Sequence, residues 1–597
     1  MTTNYTAPLA DIRFALYDLL EVEKLFARLP GCAELTRETI DAVLEESAKF
    51  SEAVLAPLNE VGDRQGCTFD RTSAEVTTPR GFKRAYEQYV EGGWAGLTAP
   101  EAAGGQGLPE TVGAPVKEMI DSANLAWGTY PLLSHGAIEA LRVHGEEWQK
   151  EAFLKRIVSG EWTGTMCLTE AHCGTDLGLL KTRAEPNDDG SHAITGTKIF
   201  ITAGEHDFTD NIVHLVLARL PGAPPGVKGI SLFIVPKMAV GKDGATAGRN
   251  AVRCGGIEHK MGLKGSATCV INFDGAQGWL IGEANRGLNA MFTMMNTARL
   301  AVGLQGLAVA ERAYQNALGY ARERLQMRAL SGAKFPDKPA DPLIVHGDIR
   351  RMLLTQKSLI EGGRALGLYA ATLVDIQHRS REEAEVKRAE ALVSFLTPIV
   401  KALLTENAIE CTNLALQIYG GHGYIADNGM EQYVRDARIT SIYEGTTQIQ
   451  ALDLLGRKIM QQRGEGLQLF LEQLDAFCAQ HANDESLSEF IAKLAPLAKE
   501  WMEVTQALGK RAVANPDEIG AAAVDYLMYS GYVALAYAWA RSVAAADASK
   551  QSQDFGEAKR LTAGFYFARI LPRTRTHLAA MQAGADSLFA MPDALFG

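Results

Sequence analysis

The sequence predicts a mainly α protein with a central antiparallel β-domain. Three observations predict it. Apolar residues recur at three- and four-residue spacing up to about residue 160 and again beyond about 285. Between about 163 and 285 the texture changes to short β-rich runs bounded by Gly, Pro, Asp and Asn. No helical pattern separates those runs, so a parallel, doubly wound sheet is not expected.

In chain order, "RETIDAVLEESAKFSEAVLAPLNEVGD" carries its apolar residues at helical spacing on an acidic background. "TAPEAAGGQGLPE" is a Gly/Pro-rich loop between helices. The strands are expected within "HAITGTKIFITAG", "NIVHLVLARL", "GISLFIVP" and "ATCVINFDGAQGWLIG". Helices return with "NAMFTMMNTARLAVGLQGLAVAERAYQNALGYARERLQ" and "PLIVHGDIRRMLLTQKSLIEGGRALGLYAATLVDI", separated by the loop "ALSGAKFPDKPADP". A third long apolar helix, "SFLTPIVKALLTENAIECTNLALQIYG", is expected to stop at Gly420-Gly421. The Ala-rich region after about 460 again reads as helical. Five segments follow: an extension over 1–40, a helical domain over 41–162, a β-domain over 163–285, a helical bundle over 286–460 and a helical region over 461–597.

A chain of 597 residues, 47% hydrophobic and 22% charged, is a multidomain globular protein. Its net charge of -12 and lack of a Lys/Arg block argue against nucleic acid as partner. Asp11 and Asp18 interrupt the first apolar stretch, which is expected to be neither signal peptide nor anchor. No run reaches the roughly 18 uninterrupted apolar residues of a membrane span. The eight cysteines form no CxxC pair, and Cys167 and Cys173 show no completing His or Cys. Free thiols in a reducing cytoplasm are expected, with no metal site and no peroxisomal address in "MPDALFG".

Several motifs carry chemistry. In "MCLTEAHCGTDLGLL", Thr169, Gly174, Thr175 and Asp176 join hydroxyls to a flexible backbone after an apolar strand, suited to a flavin edge or a phosphate. An ordinary polar turn has the same composition. In "ITGTKIFITAG", strand alternation places Phe200 and Thr202 on one face, which suits a planar cofactor or a plain core strand. "YARERLQMR" offers Arg322, Arg324 and Arg328, whose planar forks match a pyrophosphate or line a solvated helix face. In "QIYGGHGYIADNG", Gly421 and Gly423 permit close approach of a ligand to Gln417 and the backbone, and His422 reads as structural. Finally, "SIYEGTTQIQ" sets one acid, Glu444, among apolar and small neighbours, as suits a proton acceptor.

Taken in order, "LTEAHCGTD", "ITGTKIFIT", "YARER", "QIYGGHGY", "YVRDARI" and "IYEGTTQIQ" resemble the acyl-CoA dehydrogenase family of flavoproteins, over roughly residues 45–460. The N-terminal and C-terminal additions resemble its long bacterial branch, which holds fatty acyl-CoA and 3-methylmercaptopropionyl-CoA dehydrogenases. The resemblance implies the acyl-CoA dehydrogenase-like fold, bound FAD and α,β-dehydrogenation of an acyl-CoA thioester. It implies that Met166, Leu168, Thr169, Gly174, Thr175, Phe200 and Thr202 line the flavin, with Phe200 where many relatives carry Trp. Arg324, Gln417 and Gly421 would reach a neighbouring subunit's FAD, and Thr446 and Gln448 would contact FAD beside the base. Thr175, Arg299, Tyr443 and Gly445 would contact substrate.

Glu444 matches the catalytic base, and its backbone N–H matches a donor to the thioester carbonyl. An apolar slot is expected to raise the pKa of such an acid and so fit it to remove a carbon-bound proton. Some relatives carry the acid before the arginine of "NTARLAVG", but Ala298 stands there and accepts no proton. A homodimer passing electrons to an electron-transferring flavoprotein is the expected assembly. An acyl-CoA oxidase and a non-catalytic DNA-binding relative are the competing readings, the second opposed by the acidic charge and the retained "YEGTTQ".

Overall fold

The computed structural model describes residues 5–549 and 551–597. They form two compact units, one of Lys49–Pro109 with Met119–Ala301, the other of Met1–Ala48, Glu110–Glu118 and Val302–Gly597.

The first unit is built on a seven-stranded sheet: β1 Thr163–Cys167, β2 Arg183–Pro186, β3 His192–Thr202, β4 Ile212–Arg219, β5 Ile230–Pro236, β6 Val252–Ile257 and β7 Thr268–Ile281. The order is β6-β7-β3-β2-β4-β1, and β5 pairs with both β7 and β4. Most neighbours are antiparallel, but β1 runs parallel to β4, from Thr163 opposite Ile212 to Cys167 opposite Val216. The expectation of a purely antiparallel domain is corrected there. The chain leaves β1 through a long loop and two further strands before it returns as β4, and a connection of that length permits parallel alignment. Every residue of β5, and all of β4 but Arg219, is buried, which explains their continuous apolar sequences. The helix Leu125–His144 starts at Asn124, whose side chain accepts from the Trp127 N–H at 3.0 Å. It packs on β1 where a Cβ on Gly164 would lie only 2.5 Å from that of Ala137.

The second unit is helical: α1 Gly287–Glu323 (from Val302 onward), α2 Gly347–Arg379, α3 Glu383–Tyr419, α4 Met430–Thr440 and α5 Thr447–Leu452. After these come α6 Glu465–Gln480, α7 Ser488–Ala514, α8 Asp517–Ala548 and α9 Gln553–Phe565. Gly306 brings α1 against α3, since a Cβ there would meet the Leu404 carbonyl at 2.7 Å. At the centre Arg364 of α2, 1% exposed, donates to Glu118, to Glu311 at 2.7 Å and to Asp11. Lys559 of α9 pairs with the same Asp11 and with Glu361 at 2.8 Å. One ionic network thus ties the N-terminal segment and the C-terminal region to the bundle. Glu383–Tyr424 and Asp517–Ala548 are long and apolar enough to cross a membrane, but 78% and 67% of their apolar windows are buried in the protein. They are core helices of this unit.

Candidate active site

In the first unit, the loop after β1 is pinned to β3. Lys198, wholly buried, donates to the Leu168 carbonyl and to Glu170 Oε1, both at 2.9 Å. Glu170 also accepts from Thr182 N–H at 3.0 Å, Thr182 Oγ1 at 2.6 Å and Lys181 N–H at 2.8 Å. Burial alone would raise the Glu170 pKa, but the Lys198 ammonium and these hydrogen bonds outweigh it and hold the carboxyl at about 2. The Ile199 N–H donates to the Thr169 carbonyl at 2.9 Å and completes the seam.

Directly after that seam, Phe200 has φ +59° and is 59% exposed. Left-handed backbone is costly for a bulky residue and is tolerated where surroundings enforce it. The β3–β7 register shifts there, with Lys198 opposite Ile271 but Ile201 opposite Cys269. Strict alternation would have put Lys198, Phe200 and Thr202 on one face. The bulge instead buries Lys198 and Ile201, leaves Thr202 half-buried and turns Phe200 out. Met166, Leu168 and Thr169 are half-buried, Gly174 and Thr175 are exposed, and Arg299 and Ala298 are buried. The sequence offered no metal cluster around Cys173, yet Glu170, His172 and Cys173 bring ligand atoms within 4.8 Å of one another. Glu170 is committed to Lys198 and Thr182, and its backbone exchanges hydrogen bonds with that of Cys173 at 2.8 and 3.0 Å. The cluster closes the loop.

In the second unit, Glu444 lies half-buried in the turn between α4 and α5, with φ +55°, followed by Gly445 at φ +93°. The turn is held from several sides. Gln450 Nε2 donates to the Glu444 carbonyl at 2.9 Å, and Lys401 Nζ of α3 to the Gly445 carbonyl at 2.7 Å. Tyr443 OH donates to Gln305 Oε1 of α1 at 2.5 Å, and Thr447 Oγ1 to Glu406 of α3. Thr446 Oγ1 caps α5, accepting from the Ile449 N–H at 3.3 Å, and Gln448 is exposed. Gly445 meets both a backbone and a packing need, since a Cβ there would lie 2.7 Å from Gln450 Nε2.

Arg324, Gln417 and Gly421 are exposed at one end of the bundle. Tyr320 stacks on Tyr419 with centroids 4.1 Å apart and donates to or accepts from His422 Nδ1 at 2.8 Å, joining the two segments. His422 is structural, and nothing lies within 4 Å of a Cβ on Gly421. Gly423 serves packing, not ligand approach: a Cβ there would meet the Leu416 carbonyl at 2.5 Å. Arg328 serves the following loop, donating to the Phe335 carbonyl at 2.9 Å and to Asp341 at 3.3 Å. Sequence reading missed Lys198, Glu170, Gln305, Lys401 and Gln450. The one signal was a lysine inside the otherwise apolar runs "TKIFI" and "PIVKALL".

One unit thus carries a β-sheet with a pinned loop and an exposed aromatic ring, and the other a helical bundle with an acid in a left-handed turn. The chain belongs to the acyl-CoA dehydrogenase family. Residues 37–161 match the acyl-CoA dehydrogenase N-terminal domain, 165–276 the middle domain and 285–460 the C-terminal domain. Residues 470–592 match the acetyl-CoA dehydrogenase C-terminal-like domain. The 3-methylmercaptopropionyl-CoA dehydrogenase of Ruegeria pomeroyi is 42% identical over 98% of this chain and 99% of its own. The broad-specificity linear acyl-CoA dehydrogenase FadE5 of Mycobacterium tuberculosis is 34% identical over the whole of both chains. The structure of a Bacillus anthracis acyl-CoA dehydrogenase complexed with FAD superposes with TM-score 0.75 at 20% identity, over 96% of this chain and 92% of that one. The family is FAD-dependent, and the protein is an oxidoreductase of it.

Proposed function

We propose that the protein converts a straight-chain acyl-CoA to its trans-2-enoyl-CoA, with Glu444 as the general base. The observation that carries this is the Glu444 turn: a half-buried acid held in left-handed backbone while buried side chains tie down the carbonyls on either side of Gly445. Strained backbone persists where surrounding contacts over-determine it, and it clusters at active sites.

The residues fit FAD. Phe200 offers an exposed ring in an enforced conformation, two residues before the half-buried Thr202, suited to a planar ring system. Met166, Leu168, Thr169, Gly174 and Thr175 would complete that wall. Exposed Arg324 and Gln417, with Gly421, suit a pyrophosphate and adenosine, and Thr446 and Gln448 would add contacts beside the base. When bound, FAD supplies the hydride acceptor for the β-carbon. Glu444 takes the pro-R α-proton onto its carboxylate. Its backbone N–H donates to the thioester carbonyl oxygen and stabilises the charge developing there. Tyr443, fixed by Gln305, and Gly445 would contact substrate from the second unit, and Thr175 and Arg299 from the first.

3-Methylmercaptopropionyl-CoA is the first substrate to test, supported by the 42% identical relative; unbranched fatty acyl-CoAs come next. Arg324 and Gln417 serving a second subunit would make the enzyme a homodimer, with a soluble electron-transferring flavoprotein as acceptor. Eight free cysteines suit the reducing cytoplasm. The test is optical: anaerobic addition of acyl-CoA to the holoenzyme should bleach the flavin, and Glu444→Gln should slow that by at least ~10²-fold while binding is kept. Bleaching at the wild-type rate in Glu444→Gln would overturn the assignment. Peroxide release equal to substrate consumed without added acceptor would make it an oxidase.

A further inference from the structure

We propose that Lys401 is a positioning residue for the base: through the Gly445 carbonyl it holds Glu444 in its working conformation. The inference rests on Glu444 being the base.

Glu444 at φ +55° and Gly445 at φ +93° form a turn that local sequence does not enforce. Glycine rotates freely, and glutamate prefers other regions of backbone space. The turn therefore needs outside restraint at its carbonyls. Gln450 restrains the first from only six residues away. Lys401 restrains the second from α3, which is fixed against α1 at that level by Gly303 and Gly306. In a trans peptide the C=O and N–H point opposite ways. Catching the Gly445 carbonyl therefore also aims the Thr446 N–H, and catching that of Glu444 aims the Gly445 N–H.

The residue type supports the same reading. Ile399, Val400, Ala402, Leu403 and Leu404 are all at most 1% exposed, and Lys401 among them is 0% exposed. Packing alone would be met by another aliphatic side chain, and burying an ammonium is costly. Toward the turn the ammonium is a charge-assisted donor, stronger than a neutral amide, on a carbonyl one residue from the base.

The test is a double-mutant cycle on the FAD-loaded enzyme with Lys401→Met, Glu444→Gln and the double variant. Read are the anaerobic rate of flavin reduction, the Kd for acyl-CoA, the FAD content, and amide exchange over residues 441–450. Lys401→Met should slow reduction by ~10²-fold, as a misaimed group does, with Kd and FAD content kept. Exchange in the turn should rise, and the substitution should add little in the Glu444→Gln background. Should Lys401→Met not fold, Lys401→Gln, a shorter neutral donor, enters the same cycle with an intermediate rate expected. A wild-type rate in the Lys401 variant overturns the inference. So does an equal fold-loss in the Glu444→Gln background, which would place its action elsewhere. A wild-type rate in Glu444→Gln alone would instead overturn the identity of the base.

Discussion

Removing the Lys198 ammonium should detach the loop after β1, which we propose lines the flavin. Lys198 is wholly buried and makes two bonds of 2.9 Å, one to Glu170 and one to the Leu168 carbonyl. Lys198→Met leaves the Glu170 carboxylate, 6% exposed, without its cation. Breaking a buried pair this way costs about 3–5 kcal/mol. The three hydrogen bonds from Thr182 and Lys181 remain and favour the lower end. For a unit of this size the loss amounts to a fall in Tm of about 10 °C, and FAD retention should drop with it. Adding Glu170→Gln removes the orphaned charge and should restore part of the loss, a coupling above about 1 kcal/mol. The same pair sets a pH dependence. Glu170 sits at about 2 in the folded protein against an ordinary 4.5. Its stabilisation, up to about 3 kcal/mol, is therefore complete above pH 4.5 and is lost as pH falls from there toward 2. Glu170→Gln should flatten that acid limb. Calorimetry of the first transition across pH, with FAD content by absorbance, decides the matter. A Lys198→Met protein that melts with wild type and keeps its flavin would refute the reasoning.

Glu444→Gly should raise stability while abolishing flavin reduction. Relief of left-handed backbone is worth about 1–2 kcal/mol, less about 0.5–1 for the entropy glycine loses on folding. Denaturant titration reads the net effect, since the Gln450 bond is to the backbone carbonyl and survives; a loss of stability would mean that contacts of the Glu444 side chain outweigh the relief. Arg364→Met should cost at least about 3–5 kcal/mol, since it strands Glu118 and Glu311 in the core. Limited proteolysis should then release the N-terminal segment that Asp11 anchors, and an unchanged digestion pattern would count against the network as the tie.

The change of texture near residues 163 and 285 made the succession of helical, β and helical stretches legible, because burial periodicity differs between helices and strands. The family was legible for another reason: its motifs are short stretches whose chemistry sits within a few residues of one another. Glu444 and the absence of an acid at Ala298 could be read from neighbours alone. The bulge at Phe200 could not, since one inserted residue in β3 shows only against the register of β7.

By itself, then, the sequence nominated the residues proposed for the chemistry: the acid of "IYEGTTQIQ", the aromatic of "ITGTKIFIT" and the hydroxyls and glycines of "LTEAHCGTD". Tertiary structure decided what holds them. Lys198 meets Glu170 across 28 residues, Lys401 meets Gly445 across 44, and Arg364 meets Glu118 across 246. A buried charge is stable only when folding delivers its partner, and no local pattern records which distant residue that is. The left-handed conformations of Phe200 and Glu444 follow the same logic, for each is unfavourable alone and is imposed by contacts that exist only once the chain has closed.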